Sequence, residues 1–173
     1  IKTKDLKKNI ASFDISSKKK IILVSIKKNY SNSEIKNLGA KFYEQFNNSK
    51  IRNFYINSNS LPSIDKNIVG YFLHGLNLKS YKFDKYKSKK NKNNITINVL
   101  GKNIPSSKDQ LKFKAIEEGT FYTRDLVSEP GNILHPDEYA KRLNSLKKVG
   151  LKINIYDEKK LKKLGMNTLL GVG

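Results

Sequence analysis

The sequence predicts an α/β fold in which a mixed, mostly parallel sheet is flanked by helices. Short apolar, β-branched runs alternate with segments whose apolar residues recur at helical spacing. Strands that alternate with helices are typical of parallel pairing, because each helix serves as the crossover between two strands. The chain of 173 residues is also long enough to bury a sizeable core.

The first half of the chain holds two strand–helix pairs. Residues 20–26 form an apolar run bounded by charge, which predicts a buried strand. Ser31 and Glu34 have the spacing of a capping box, so we expect a helix to begin there. Residues 51–57 predict a second strand, and Pro62 suits the first turn of a second helix. The apolar stripes of the two helices are Ile35, Leu38, Phe42 and Phe46, then Ile64, Ile68, Phe72 and Leu76.

The middle of the chain predicts a loop, a strand and a long helix. Residues 81–86 alternate in a way that favours an extended segment, and residues 87–94 are too polar to be other than an exposed loop. Residues 95–100 predict a further strand. Ser107 and Gln110 have capping-box spacing and predict the start of a long helix. The predicted inner side of this helix comprises Leu111, Ala115, Gly119, Tyr122 and Leu126.

The last third predicts two further helices and a strand. The long helix should end near Pro130, because proline disfavours helix in the residue before it, and Pro136 should begin the next helix. Residues 151–156 alternate like a strand. Asp157 can cap a short helix that Gly165 closes. The residues expected to face inward from the helix at Pro136 are Tyr139, Leu143 and Leu146.

Charge and composition limit the classes of protein that the chain can belong to. The formal net charge is +20, from 35 basic and 15 acidic residues, which raises the question of an anionic partner. The excess is almost all lysine and accompanies many asparagines and isoleucines, a profile typical of AT-rich codons. Without cysteine, disulfides and thiolate metal sites are excluded, and a reducing cytoplasm is expected. The apolar runs are far shorter than the roughly 20 residues that cross a bilayer, so no membrane partner is expected.

One lysine-rich segment is a candidate surface for nucleic acid or another anion. Tyr81, Phe83 and Tyr86 immediately precede or interleave with its lysines, and such aromatics can stack on bases while lysines neutralise phosphates. The opposing interpretation is a solvated lysine run beside aromatics that belong to the core. This candidate basic surface comprises Lys85, Lys87, Lys89, Lys90 and Lys92.

Other titratable residues give no catalytic constellation in the sequence. His74 and His135 have no acidic neighbour at metal-ligand spacing, so we expect them to flank or cap helices. Glu117 and Glu118 are adjacent and therefore do not face each other on a helix. We expect both glutamates to be solvated.

A segment near the middle of the chain carries a specific family resemblance. Residues 123–136, TRDLVSEPGNILHP, resemble the signature with which cytosolic leucine aminopeptidases pass from their N-terminal domain to their catalytic domain. The resemblance continues through residues 161–173, LKKLGMNTLLGVG, and extends upstream to residues 75–87. Gly131 and His135 depart from the pattern, since alanine and threonine are usual there.

The resemblance implies a macro-domain-like N-terminal domain and a parent enzyme that removes N-terminal amino acids from peptides. Two divalent ions, manganese or zinc, are implied for that enzyme, as are a cytoplasmic location and a homo-hexamer. The family's metal-ligand segments do not occur here, so we expect no catalytic residue, metal ligand or cofactor in this chain and no activity of the chain alone.

The charge pattern supports a division into three parts. Residues 79–114 carry 11 lysines against 2 aspartates, whereas residues 115–138 carry 1 arginine against 6 acids. We expect an N-terminal α/β domain at 1–115, a linker helix and turn at 116–135, and the truncated start of a metallopeptidase catalytic domain at 136–173. Both ends look cut, so we expect a portion of a longer protein.

Overall fold

The computed structural model describes residues 9–17, 19–61, 67–89 and 94–172. The chain divides into two compact units, Ile1–Tyr122 and Thr123–Gly173. The elements in chain order are β1 (Ile10–Ser16), β2 (Lys19–Val24), α1 (Asn32–Phe46), β3 (Asn53–Asn57), α2 (Ile68–Ser80), β4 (Thr96–Leu100), α3 (Ser107–Ser128), α4 (Pro136–Ser145), α5 (Glu158–Lys163) and α6 (Asn167–Leu170).

The predicted α/β class is confirmed, and the described strands form two two-stranded sheets. β3 and β4 pair in parallel, with Asn53 opposite Thr96 and Asn57 opposite Leu100. Parallel neighbours need a crossover, and α2 lies between these two strands in the chain. The predicted strands at 51–57 and 95–100 are therefore present, and their pairing is the expected one.

An antiparallel hairpin, which the sequence did not predict, precedes α1. β1 pairs with β2 so that Ile10 lies opposite Val24. Three polar residues interrupt the apolar pattern of β1, so the sequence did not indicate this strand. The predicted strand at 20–26 exists as β2, but its predicted burial is wrong, since Ile21 and Leu23 are 47% and 42% exposed. In this hairpin Ile10 is buried and Ile22 and Val24 pack against the core, whereas Ile21 and Leu23 lie on the opposite face.

α1 is the clearest success of the sequence prediction. The Ser31 hydroxyl accepts a hydrogen bond from the Glu34 amide at 3.2 Å, and the Glu34 carboxylate accepts one from the Ser31 amide at 2.8 Å. These two bonds satisfy backbone donors that have no partner within the helix. The buried face carries Ile35, Leu38, Phe42, Tyr43 and Phe46.

The core of the first unit is built between α1 and α2 and against β3. Phe42 is at its centre, with ring centroids 5.3 Å from Phe54 and 5.6 Å from Phe72. The helices approach closely at two glycines: a Cβ on Gly39 would overlap the Phe72 carbonyl, and one on Gly75 would overlap the Lys36 carbonyl. Pro62 and Ile64, which were predicted at the start of α2, lie outside the described residues.

Residues 81–86 form no strand; they are a loop that ends in a turn. Tyr81 instead packs on Phe121 of α3, with ring centroids 5.4 Å apart. Phe83 packs on Tyr86 at 5.8 Å. The segment is therefore held by side-chain packing and not by pairing with a strand.

α3 is present, but two details of its prediction are wrong. Its first turn is capped by Ser106 rather than Ser107: the Ser106 hydroxyl accepts from the Asp109 amide at 3.2 Å. The packed face is only partly as predicted: Leu126 is buried, but Leu111 is 68% exposed, and the ring contacts are made by Phe113 and Phe121. α3 carries two apolar stripes on opposite sides. The aromatic stripe packs within the first unit because it buries the larger area.

The second unit contains the predicted helices but little core. α4 begins at Pro136 as predicted, yet no residue of it is buried, and Tyr139 is 44% exposed against the prediction that it faces inward. His135 occupies the N-cap position of α4 and so flanks a helix as predicted, but its side chain makes no capping bond. Residues 151–156 form no strand, because no described segment pairs with them.

The end of the described chain matches the predicted caps. The Asp157 carboxylate accepts from the Lys160 amide at 2.8 Å and begins α5. Gly165 follows α5 with φ +68°, a conformation that favours glycine. α6 was not predicted. Across the described ranges no helix combines the length and apolarity needed to cross a membrane.

Candidate functional site

A largely buried polar cluster in the first unit joins α2 to α3. α2 places His74 and Asn77 on neighbouring turns, and α3 places Glu117 opposite them. His74 Nδ1 lies 2.8 Å from one carboxylate oxygen of Glu117, and the Asn77 amide donates to the other at 3.0 Å. The side chains of His74 and Glu117 are only 6% and 14% exposed. Both oxygens of a largely buried carboxylate are thus satisfied, as burial requires.

This cluster corrects two sequence interpretations. Glu117 is not solvated, and His74 is a buried helix-to-helix partner rather than a flanking or capping residue. Glu118 behaves as predicted, with its side chain 66% exposed beside Lys114. Residues 43 positions apart give no local spacing signal. One signal was available in the sequence. Glu117 lies four residues from both Phe113 and Phe121, so it shares their face of the helix, which is the face that packs.

The cluster has a structural role: it holds one helix against another. The Phe113 ring lies 5.4 Å from the His74 ring and, with α2, closes the histidine off from solvent. A general base must reach its substrate within hydrogen-bond distance, and His74 offers almost no accessible surface for that contact. The cluster therefore fixes α3 against α2.

The candidate basic surface is described only in part. Lys85, Lys87 and Lys89 are exposed, whereas Lys90 and Lys92 lie outside the described residues. The Lys85 ammonium lies 5.4 Å from the centroid of the Tyr86 ring, and Tyr86 is 53% exposed. Tyr81 and Phe83 are half-buried. Three lysines and one aromatic ring therefore face solvent here.

A buried acid–base network ties the segment after α3 to α4 in the second unit. Arg142 donates to Glu129 and to Glu138, each at 2.9 Å. The Glu129 side chain is 1% exposed, and a guanidinium fork suits the pairing of two carboxylates. The hydrogen bond from Arg142 lowers the pKa of Glu138, and the bonds to Glu138 and then Glu129 raise the pKa of Arg142. Glu129 lies in the segment 123–136, whose structural role this network explains.

The described residues form no group of metal ligands. Within 9–17, 19–61, 67–89 and 94–172, no three His, Asp or Glu side chains are grouped as a metal ion requires. The residues present therefore do not fit the two-ion centre that the resemblance implies. A cleft of about 220 Å³ lies between the end of β2 and the start of α1, lined by Lys27, Tyr30, Glu34 and Lys41 among others. It is smaller than the roughly 300–1,000 Å³ of typical ligand pockets.

Comparison with known proteins finds a family whose model matches the second unit. The model of the cytosol aminopeptidase family, catalytic domain, matches residues 121–173. The probable cytosol aminopeptidase of Phytoplasma mali is 43% identical over 107 residues, which are 61% of this chain and 22% of that protein. That of Bradyrhizobium sp. is 38% identical over 104 residues, covering 57% and 21%.

Solved structures agree on the fold. A mutant of tomato leucine aminopeptidase superposes with a TM-score of 0.72 at 20% identity, covering 89% of this chain and 33% of that one. The bottromycin maturation enzyme BotP in complex with Mn gives a TM-score of 0.67 at 18% identity, covering 90% and 34%.

The family model and the curated relatives carry the same family name. The chain spans about a fifth of the length of the curated relatives that it matches. The family match begins inside α3 and contains the whole segment 123–136, together with its buried Glu129. Residues 121–173 are thus similar to the catalytic domain of the cytosol aminopeptidase family, and the matching curated relatives are probable cytosol aminopeptidases.

Proposed function

We propose that this chain is the N-terminal portion of a two-metal leucyl aminopeptidase, which removes N-terminal amino acids from peptides. The observation that carries the proposal is the match of residues 121–173 to the family's catalytic domain. The names of the relatives support the peptide substrate class. We also propose the division into an N-terminal domain at 1–115, a linker at 116–135 and the start of the catalytic domain at 136–173.

The metal-binding and catalytic residues of the enzyme are proposed to lie outside this chain. The support is that the sequence lacks the metal-ligand segments of the family that it resembles. Manganese or zinc would serve as the two ions, and manganese is favoured by the Mn complex of BotP. Paired ions in such enzymes activate water and polarise a carbonyl. A homo-hexamer and a cytoplasmic location complete the proposal, the latter supported by the relatives' names and the lack of cysteine.

Activity measurements on two polypeptides test the proposal. The product of the complete reading frame that contains this chain should hydrolyse leucine p-nitroanilide with added manganese and lose that activity in a chelator. The 173-residue chain alone should show none under the same conditions. Hydrolysis by the chain alone, or an inactive full product with metal bound, would reject the proposal.

A second candidate function is a basic module that binds nucleic acid. The observation that favours it is the exposure of Lys85, Lys87, Lys89 and Tyr86 together. Single-stranded nucleic acid binds to such surfaces through phosphate neutralisation and ring stacking.

A salt series in a filter-binding assay tests this module. The triple variant Lys85→Ala, Lys87→Ala and Lys89→Ala should reduce the slope of log affinity against log salt by about 2 for a single strand. The matched control changes three exposed lysines of the second unit to alanine: Lys148, Lys152 and Lys159. No binding at low salt, or an equal effect of both triple variants, would exclude a localised site.

A further inference from the structure

The cleft between the end of β2 and the start of α1 combines apolar walls with a charged rim. Its volume of about 220 Å³ admits a small molecule but not a peptide or a nucleotide. The segment after β2 supplies one wall, which includes the half-buried Ile26 and Tyr30. The first half of α1 supplies the other wall, where Ile35 and Leu38 are 1% and 6% exposed. The cleft therefore opens directly onto the core of the first unit.

The rim of this cleft carries an excess of positive charge. Lys27 and Lys41 line it from opposite walls, and Glu34 is the carboxylate among the lining residues. One oxygen of Glu34 already accepts from the Ser31 amide at 2.8 Å and from the Ser31 hydroxyl at 3.1 Å. The other oxygen lies 3.8 Å from the Lys27 ammonium. Lys41 forms no ion pair with any residue that the structure describes, so one positive charge on the rim is left for an anionic group.

The lining residues indicate the chemical class of the ligand. A carboxylate can accept from the Lys41 ammonium and from the side-chain amides of Asn9 and Asn37, which line the same cleft. An aliphatic chain attached to that carboxylate can contact Ile26 and Tyr30, whereas an inorganic anion would leave this apolar surface unused. We propose that the cleft binds a small aliphatic carboxylate, with Lys41 as its ionic partner.

Nuclear magnetic resonance of the 173-residue chain tests the proposal with isocaproate as the probe. Titration to millimolar concentrations should shift the backbone amide signals of the two walls, at residues 25–30 and 34–41. The neutral isocaproamide should bind at least about tenfold more weakly, because it cannot form an ion pair with lysine. Acetate should also bind at least about tenfold more weakly, because it lacks the aliphatic chain. Isocaproate that shifts none of these amides, or that binds no more tightly than isocaproamide, would overturn the proposal.

A pair of lysine variants locates the ionic contact. Lys41→Ala should weaken the binding of isocaproate about tenfold, because the carboxylate loses a charged donor. Lys50→Ala is the matched control, since Lys50 is also exposed but follows the end of α1 and does not line the cleft. Equal weakening by both variants would show a general attraction of anions to the basic chain and would reject the site.

Leucine separates two sources of the same chemistry. It has the chain and the carboxylate of isocaproate together with an ammonium group, which Glu34 can accept. Tighter binding of leucine than of isocaproate would support the site and identify a free amino acid as its ligand, whereas the reverse order would support a short fatty acid. Neither result depends on the proposed function, because no hydrolysis is measured.

Discussion

Glu117 shows how a single carboxylate holds two helices together. His74 and Asn77 of α2 each bond to one of its oxygens, and the pair is largely shielded from solvent. A buried acceptor that loses its donors, or a buried donor that loses its acceptor, costs more than the bond itself contributed. The cluster therefore makes the position of α3 sensitive to any one of its three members.

We expect Glu117→Ala to lower the free energy of unfolding by about 1–3 kcal/mol, because His74 and Asn77 are then left buried without their acceptor. Urea unfolding of the chain measures this difference. The neighbouring Glu118→Ala is the matched control, since its exposed pair with Lys114 should contribute about 0–1 kcal/mol. Equal effects of the two variants would contradict the anchoring role.

The N-terminal cap of α1 should make stability depend on acid pH. The backbone amide of Ser31, and then its hydroxyl, lower the pKa of Glu34 below its ordinary value of 4.5. A carboxyl whose pKa is lower in the folded state stabilises the fold above 4.5, and this contribution is lost as the pH falls through the folded pKa. We expect Glu34→Gln to flatten the acid limb of the stability curve, measured by urea unfolding between neutral pH and pH about 3. An unchanged acid limb would show that the cap makes no pH-dependent contribution.

Glycines on different helices have opposite amounts of space around them. Gly39 and Gly75 lie where α1 and α2 approach backbone to backbone, whereas a Cβ added to Gly119 of α3 would meet nothing within 4 Å. Replacement of glycine by alanine should therefore lower the stability of the fold at Gly39 or Gly75 and raise it at Gly119.

We expect Gly75→Ala to destabilise the chain by about 1–3 kcal/mol, because its methyl group would overlap the rigid Lys36 carbonyl and force the helices apart. Gly119→Ala should stabilise it by up to about 1 kcal/mol through helix propensity. Thermal unfolding of both variants measures the difference. If both shift the midpoint in the same direction, the close helix approach is not limiting stability.

The elements that sequence reasoning placed correctly are those whose determinants are local. Ser31 and Glu34 fix the start of α1, and Asp157 and Gly165 fix the ends of α5, through contacts within a few residues. The burial of β2 and the packed face of α3 depend on what the rest of the chain places beside them. Two apolar stripes on α3 made its orientation ambiguous, and only tertiary packing selects one.

The candidate sites divide in the same way. Exposure of Lys85, Lys87 and Lys89 follows from polar composition and was predicted. The His74–Glu117 and Arg142–Glu129 pairs join residues that are 43 and 13 positions apart, so no local pattern showed them. The family resemblance came instead from the specific residue order of 123–136, in which the Glu129 side chain is buried and paired with Arg142.

At the scale of the whole molecule, the two units should differ in local stability. The first unit buries an aromatic core around Phe42, whereas Leu126 is the single buried hydrophobic residue among those described in the second. Local opening is easiest where few apolar contacts are lost. Amides of α1 and α2 should therefore exchange more slowly than those of α5 and α6 in the 173-residue chain. Hydrogen exchange with peptide-level resolution measures this, and uniform exchange would contradict it.

The parallel pairing of β3 with β4 has a consequence for synthesis on the ribosome. The hairpin of β1 and β2 can close as soon as both strands have emerged, because its partners are neighbours in the chain. β3 must wait until α2, the following loop and β4 have been translated, because its partner is distant in sequence. During that interval the apolar faces of α1 and β3 lack part of their cover, so the nascent chain passes through a stage at which chaperone binding or aggregation competes with folding.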